Sequence, residues 1–95
     1  MLIKKDNFVI MNPKDNCATA LENIIKDTKI KIEENIIKVS QEIPMGHKFA
    51  LLNINKGELI IKYGEIIGIA TQDIKAGDWI HTYNITSHYL EEVKK

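Results

Sequence analysis

The sequence has one cysteine, no arginine, and no apolar run near the length that crosses a bilayer. The lone Cys17 excludes an internal disulfide and fits a reducing cytoplasm, the expected location. A membrane-spanning helix takes about 20 apolar residues in succession, and none of the short runs here approaches that. The opening Met1-Leu2-Ile3-Lys4-Lys5-Asp6 has neither an apolar h-region nor a cleavage site, so no signal peptide is read. Thirteen basic residues, all lysine in a pattern that reflects genome composition, are cancelled by thirteen acidic ones. Without a basic face, a nucleic-acid partner is disfavoured. The glycine-rich phosphate loops, the nucleophile elbow and paired-cysteine motifs are also missing, which removes the common nucleotide, hydrolase and zinc-site signatures.

What is present is one domain over residues 1–95, with its core at about 8–85 and a polar tail over 86–95. Of its 95 residues 44% are hydrophobic and 27% charged, an ordinary globular balance. Short apolar runs (Phe49–Leu52, Leu59–Ile61, Ile66–Ile67, Ile69–Ala70) alternate with polar turns across the stretch 46–84, which predicts a mainly β fold. Asn7–Asn12 reads as a first strand ended by Pro13. A single short helix is expected after it: Asp15 is placed to cap it, and Ala18, Leu21, Ile24 and Ile25 fall on one face at helical spacing. Lys29–Glu33 alternates strictly, and Ile36–Ser40 returns after a Glu34-Asn35 turn in which Asn35 takes positive φ. Ile43–Gly46 is a second turn, and His47 opens the next strand.

An internal repeat is visible. Asn53–Ile60 matches Asp73–Ile80, with a degenerate copy at Asn23–Ile30. In each, Asn or Asp starts a short helical turn, an isoleucine enters the core, and Gly57, Gly77 or Asp27 turns the chain in left-handed geometry. Asp15 and Asp73 read as caps; Glu58 and Asp78 read as solvated.

The candidate chemical residues concentrate in the same stretch. His47 and His81 stand at its ends and can approach each other, as weak candidate metal ligands or as hydrogen-bonding surface histidines. His88 falls in the tail. Lys62-Tyr63-Gly64 can present an ammonium, a phenol and an open backbone to a carboxylate, or simply be a strand end and a turn. Trp79, His81 and Tyr83 alternate onto one side of a strand, as a pocket wall, an interface, or an ordinary aromatic edge. Cys17 has no base near it in sequence and is not a nucleophile candidate. Asn84-Ile85-Thr86 is formally a glycosylation sequon, without meaning unless the chain is secreted.

Taken in order, Lys14-Asp15-Asn16-x-Ala18-x-Ala20-Leu21, Gly46-His47-Lys48-x-Ala50-Leu51, Asn53-Ile54-x-Lys56-Gly57, Ile61-Lys62-Tyr63-Gly64-x-x-Ile67-Gly68-x-Ala70, Asp73-Ile74-x-x-Gly77 and His81-x-x-Asn84 resemble the SAF domain that begins the altronate/galactarate dehydratase family. The likeness covers about residues 8–85. It implies a β-clip fold, and an activity that removes a group β to a carboxylate from sugar acids or, in a related branch, sulfite from sulfolactate. It also implies iron or manganese in the assembled enzyme, with none evident in this chain itself. The family's larger catalytic region would then be a separate large subunit, with this chain a small subunit that is not catalytic alone, or else this chain is a lone fragment. His47, Lys48, Lys62, Tyr63, Gly64, His81 and Asn84 match the motif and are the expected substrate-binding or subunit-interface residues. Where the family tends to carry H-V-H-x-H-N, this chain has Trp79-Ile80-His81-Thr82-Tyr83-Asn84, keeping only the middle histidine. The resemblance leaves a second reading, a non-catalytic SAF module for carbohydrate binding or for assembly, and a third, a structural domain that self-associates as a homo-oligomer through Trp79.

Overall fold

A computed structural model describes residues 3–5, 7–81 and 84–86. Tyr83, His88, Met1, Asp6 and the tail beyond Thr86 lie outside the described residues. In chain order the strands are β1 (Ile3–Lys4), β2 (Phe8–Ile10), β3 (Cys17–Ala20), β4 (Lys29–Ile32), β5 (Asn35–Lys38), β6 (Lys48–Ala50), β7 (Leu59–Lys62), β8 (Glu65–Ala70), β9 (Trp79–Ile80) and β10 (Ile85–Thr86). All pairings are antiparallel. A five-stranded sheet runs β1-β2-β3-β6-β9, a three-stranded sheet β10-β8-β7, and β4-β5 is a hairpin of its own.

The fold is mainly β, and the helix expected from Asp15 to Lys26 does not form. Its first part is β3, which lies inside the five-stranded sheet between β2 and β6. The reason is that β3 is buried on both faces. Ala18 and Ala20 enter one core with Phe8 and Phe49, while Cys17 enters another with Ala50, Ile60 and Ile80. A strand wedged between two cores shows no polar face, so its pattern mimics the stripe of a helix. Leu21 and Ile25, assigned to that stripe, are exposed. Thr86, counted in the tail, pairs with Ile69 in β10.

The two cores lie on opposite sides of the five-stranded sheet. The first gathers Phe8, Ile10, Ile24, Ile30, Val39, Ile43 and Phe49, with the Phe8 and Phe49 rings edge to face at 5.9 Å. The second gathers Cys17, Ile54, Ile60, Ile74 and Ile80. Hairpin β4–β5 feeds the first and hairpin β7–β8 the second. The first hairpin turns one residue earlier than expected. Its loop is Glu33-Glu34, Asn35 already pairs with Ile32, and positive φ falls on Glu33 (55°) rather than on Asn35.

The repeated turn is real and has four copies. Ile24, Ile43, Ile54 and Ile74 are each no more than 2% exposed, and positive φ follows three residues on, at Asp27, Gly46, Gly57 and Gly77. The copy at Glu42–Phe49 is hidden in the sequence by Glu42 and Pro44. The copies work in pairs: Ile24 bridges Ile43, and Ile54 bridges Ile74, through reciprocal backbone bonds of 2.7–2.9 Å. The side chains expected to start their own helical turns instead close the partner's turn. Asn23 accepts from Met45 N–H, Asn53 from Ala76 N–H and Asp73 from Lys56 N–H, at 2.8, 2.9 and 2.8 Å. Glu58 and Asp78, expected only to be solvated, accept the N–H of Asn55 and Lys75.

Candidate functional site

The segment Asp15-Asn16-Cys17 grips the second hairpin along its length. Asn16 behaves like a strand partner. Its backbone N–H donates to Ile61 C=O, its Oδ1 accepts from Ile61 N–H at 2.8 Å, and its Nδ2 donates to Leu59 C=O at 2.9 Å. The Cys17 thiol points at the same Ile61 carbonyl at 3.5 Å. Asp15, buried at 8% exposure, reaches the hairpin tip. Its carboxylate accepts from Gly64 N–H at 2.8 Å, and from Tyr63 N–H and Asn12 N–H at 3.1 Å each. It caps no helix. It caps a turn some fifty residues away (|i−j| of 48 and 49).

That finding corrects the expectation of an open backbone at Lys62-Tyr63-Gly64. The N–H groups of Tyr63 and Gly64 already hold an anion, and the anion is Asp15. Both residues take positive φ, 58° and 73°, as a two-residue hairpin loop with primed geometry requires. A Cβ at 64 would stand 2.8 Å from Asn12 Nδ2, the end of a side chain that would have to move aside. The side chains remain available. Tyr63 is 58% exposed, and the half-buried Lys62 sets its ammonium 4.9 Å from the Tyr63 ring centroid.

Lys48 sits in β6 opposite Thr19 and Ile80, on the sheet face that also carries Cys17. Burial pushes the Cys17 thiol up to about 11; the Lys62 ammonium opposes this, Asp15 adds to it, and Lys48 opposes it. Two ammoniums from separate elements are thus within electrostatic reach of one buried thiol, and the thiol stays protonated and inert.

His47 and His81 come together around Trp79. The β6–β9 register pairs Phe49 with Trp79 and Lys48 with Ile80, and its continuation sets His47 opposite His81. Trp79 contacts both imidazoles, at ring-centroid distances of 5.3 Å to His47 and 4.7 Å to His81. Its Nε1 is buried without a partner among the described residues, as is Thr19 Oγ1. Iron and manganese of the kind the resemblance implies take several nitrogen and oxygen ligands. Among the described residues no group of three or more His, Cys, Asp or Glu side chains comes together. Among the described residues, two imidazoles set edge-on and tilted against an indole do not make the donor set of such a centre.

Asn84 turns inward. It is 7% exposed, its Oδ1 accepts from His81 N–H at 2.9 Å, and its Nδ2 donates to Trp79 C=O at 2.8 Å. Both ends of its amide are used in holding the strand that carries Trp79 and His81, so it supports the aromatic group from behind. Sequence reasoning missed the grip of Asp15 and Asn16. The signal present was a pair of short polar residues directly before an apolar strand, which reads equally as a helix cap.

Comparison with known proteins decides the family. A family model, the altronate/galactarate dehydratase SAF domain, matches residues 6–88. The chain belongs to that family. Its SAF domain is 38% identical over 77 residues to the altronate dehydratase of Escherichia coli (strain K12), a match that covers 81% of the chain and 16% of that protein. Against the altronate dehydratase of Bacillus subtilis (strain 168) it is 38% identical over 78 residues, 82% of the chain and 16% of the relative. The SAF domain thus spans about a sixth of the length of these dehydratases. It is also 38% identical over 48 residues to the (2R)-sulfolactate sulfo-lyase subunit alpha of Chromohalobacter salexigens, which covers 50% of the chain and 51% of that subunit. No helix among the described residues is long and apolar enough to cross a membrane.

Proposed function

We propose that this SAF domain is the small subunit of a two-chain lyase of the sugar-acid dehydratase type, in the β-clip fold its family implies, and that it completes an active site held by a larger partner. The observation that carries the reading is the likeness to a protein that is itself a subunit: the chain is 38% identical over 48 residues to the (2R)-sulfolactate sulfo-lyase subunit alpha of Chromohalobacter salexigens and 44% identical over 43 residues to that of Paracoccus pantotrophus.

The geometry agrees with a contributing role. The tip of the second hairpin sets the half-buried cation of Lys62 beside the exposed phenol of Tyr63, and Lys48 lies on β6. Such groups bind and orient a carboxylate. In an elimination β to a carboxylate, a fixed carboxylate positions the α proton and the leaving group for a partner's acid and base. Iron or manganese, where present in the assembly, would belong to that partner.

The test is co-expression with the adjacent large chain, then an assay of the purified complex on sugar acids and sulfolactate with added Fe²⁺ or Mn²⁺. A complex whose turnover is lost on Lys62→Ala, with assembly intact, supports the reading. A large chain that turns over as fast without the SAF domain overturns it. Binding of a sugar acid by the SAF domain alone, with no complex formed, would instead make it a carbohydrate-binding module.

A further inference from the structure

We propose that Asp15 is the positioning residue of the Lys62–Tyr63 tip, fixing the orientation in which that tip meets a ligand carboxylate; this rests on the role proposed above for Lys62 and Tyr63. Tyr63 is a bulky residue held at φ 58°. Left-handed geometry disfavours such a side chain, and hairpin loops of this length usually place Asn, Asp or Gly there. Glu33 takes a similar φ of 55° in the first hairpin, so the backbone conformation alone does not call for an anchor. At the second tip Asp15 nonetheless supplies one, with one carboxylate oxygen on Gly64 N–H and the other on Tyr63 N–H. The tip of the first hairpin, Glu33-Glu34, has no side-chain acceptor on its N–H groups among the described residues.

The fold thus commits a buried, charged acceptor to an exposed tip. A loop that only joins two strands needs none, as the first hairpin demonstrates. What the anchor sets is the direction of the Lys62 and Tyr63 side chains. The Lys62 ammonium lies over the Tyr63 ring, so rotating the loop would move both groups together. Asp15 is turned away from any ligand by its three N–H partners. It acts through the tip and does not touch substrate itself.

The full chain decides this through Asp15→Asn, which keeps the size but replaces one acceptor oxygen with a donor. Amide hydrogen exchange at Tyr63 and Gly64 should quicken by about tenfold or more while the β2–β3–β6 amides are unchanged, the mark of local opening. In the assembled enzyme KM for the acid should rise by about tenfold with kcat altered by less than about threefold, because a displaced tip weakens binding of the carboxylate. In equilibrium binding of the acid to the assembly, which needs no turnover, adding Asp15→Asn to Lys62→Ala/Tyr63→Ala should weaken binding no further, since Asp15 acts only through the tip. Unchanged exchange at Tyr63 and Gly64, or binding losses that multiply when Asp15→Asn is added to Lys62→Ala/Tyr63→Ala, overturns the proposal. If Asp15→Asn does not fold, Asp15→Glu makes the same comparison with the charge kept and moved by one methylene. If the wild-type assembly turns nothing over, the proposed function is what has failed. The exchange arm then decides by itself whether Asp15 holds the tip.

Discussion

Gly57 and Gly77 occupy matching places in paired copies of one turn, and the structure predicts that alanine will be tolerated very differently at the two. Their φ values are 90° and 93°, and each N–H makes the same kind of bond, 2.8 Å to the carbonyl of Ala70 or of Ala50. The conformational cost of alanine in left-handed geometry is therefore common to both, about 1–2 kcal/mol. The surroundings differ. A Cβ on Gly57 meets nothing within 4 Å, whereas one on Gly77 falls on the Lys38 carbonyl oxygen and lies 3.3 Å from Ile37 Cγ2. Backbone cannot swing aside as a side chain can. The end of β5 has to lift away from the turn, straining the Ser40 N–H to Gly77 C=O bond (3.2 Å) and the packing of Val39, which is fully buried. Overpacking of this kind adds about 1–3 kcal/mol. Gly57→Ala should cost about 1–2 kcal/mol and Gly77→Ala about 2–5 kcal/mol. At about 4–8 °C per kcal/mol for a domain this size, the two variants should melt at clearly different temperatures. Urea unfolding followed by far-ultraviolet circular dichroism and Trp79 fluorescence measures both. Losses that agree within about 0.5 kcal/mol, well inside the expected overpacking term, would refute the reasoning.

Two further outcomes follow from the same geometry. The folded chain keeps the Cys17 proton to about pH 11, whereas the reference thiol loses it near 9.0. The unfolded state then binds fewer protons between those values, so stability falls as pH rises through that window, by up to about 3 kcal/mol for the two units. A pH series of urea melts comparing wild type with Cys17→Ala should show the extra alkaline loss only in wild type, and the native thiol should resist alkylation at pH 8. Asn84→Ala leaves Trp79 C=O and His81 N–H without their partner and should cost about 1–3 kcal/mol in chemical denaturation. Asn84→Asp should do no better, because it sets a carboxylate oxygen against the Trp79 carbonyl.

The β architecture was legible where strands alternate against water. Lys29–Ile32 alternates lysine with isoleucine, so its period is visible; its return strand, with Ile36 exposed beside buried Ile37, shows no such alternation. β3 was misread for the opposite reason, since Cys17, Ala18 and Ala20 are all buried and the single Thr19 is too little to mark the period. The turn repeat was recognisable from Ile54-x-x-Gly57 and Ile74-x-x-Gly77. Its Glu42–Phe49 copy was not, because backbone geometry can be kept while the residues change. At the site, the β6–β9 register explains why Trp79 touches both His47 and His81. Asp15 was singled out for the right chemistry, acceptance of free N–H groups, and given the wrong recipients. A capping carboxylate advertises its function locally, but what it caps can be anywhere the fold brings a turn.

The order β1-β2-β3-β6-β9 also governs how the molecule is made. β6 joins β3 across an intervening hairpin, and β9 joins β6 across another. The hairpins can close early from local contacts, but the sheet between them waits for distant segments to meet, and each such closure has an entropic cost before it is rewarded. Folding should therefore run in milliseconds to seconds rather than microseconds. On the ribosome, Phe49 and Ala50 would emerge with one neighbouring strand already in place and the other not yet synthesised. Until Ile80 arrives, β6 is an open edge of the growing sheet, and that interval is when the nascent chain is most exposed to pairing with the wrong partner.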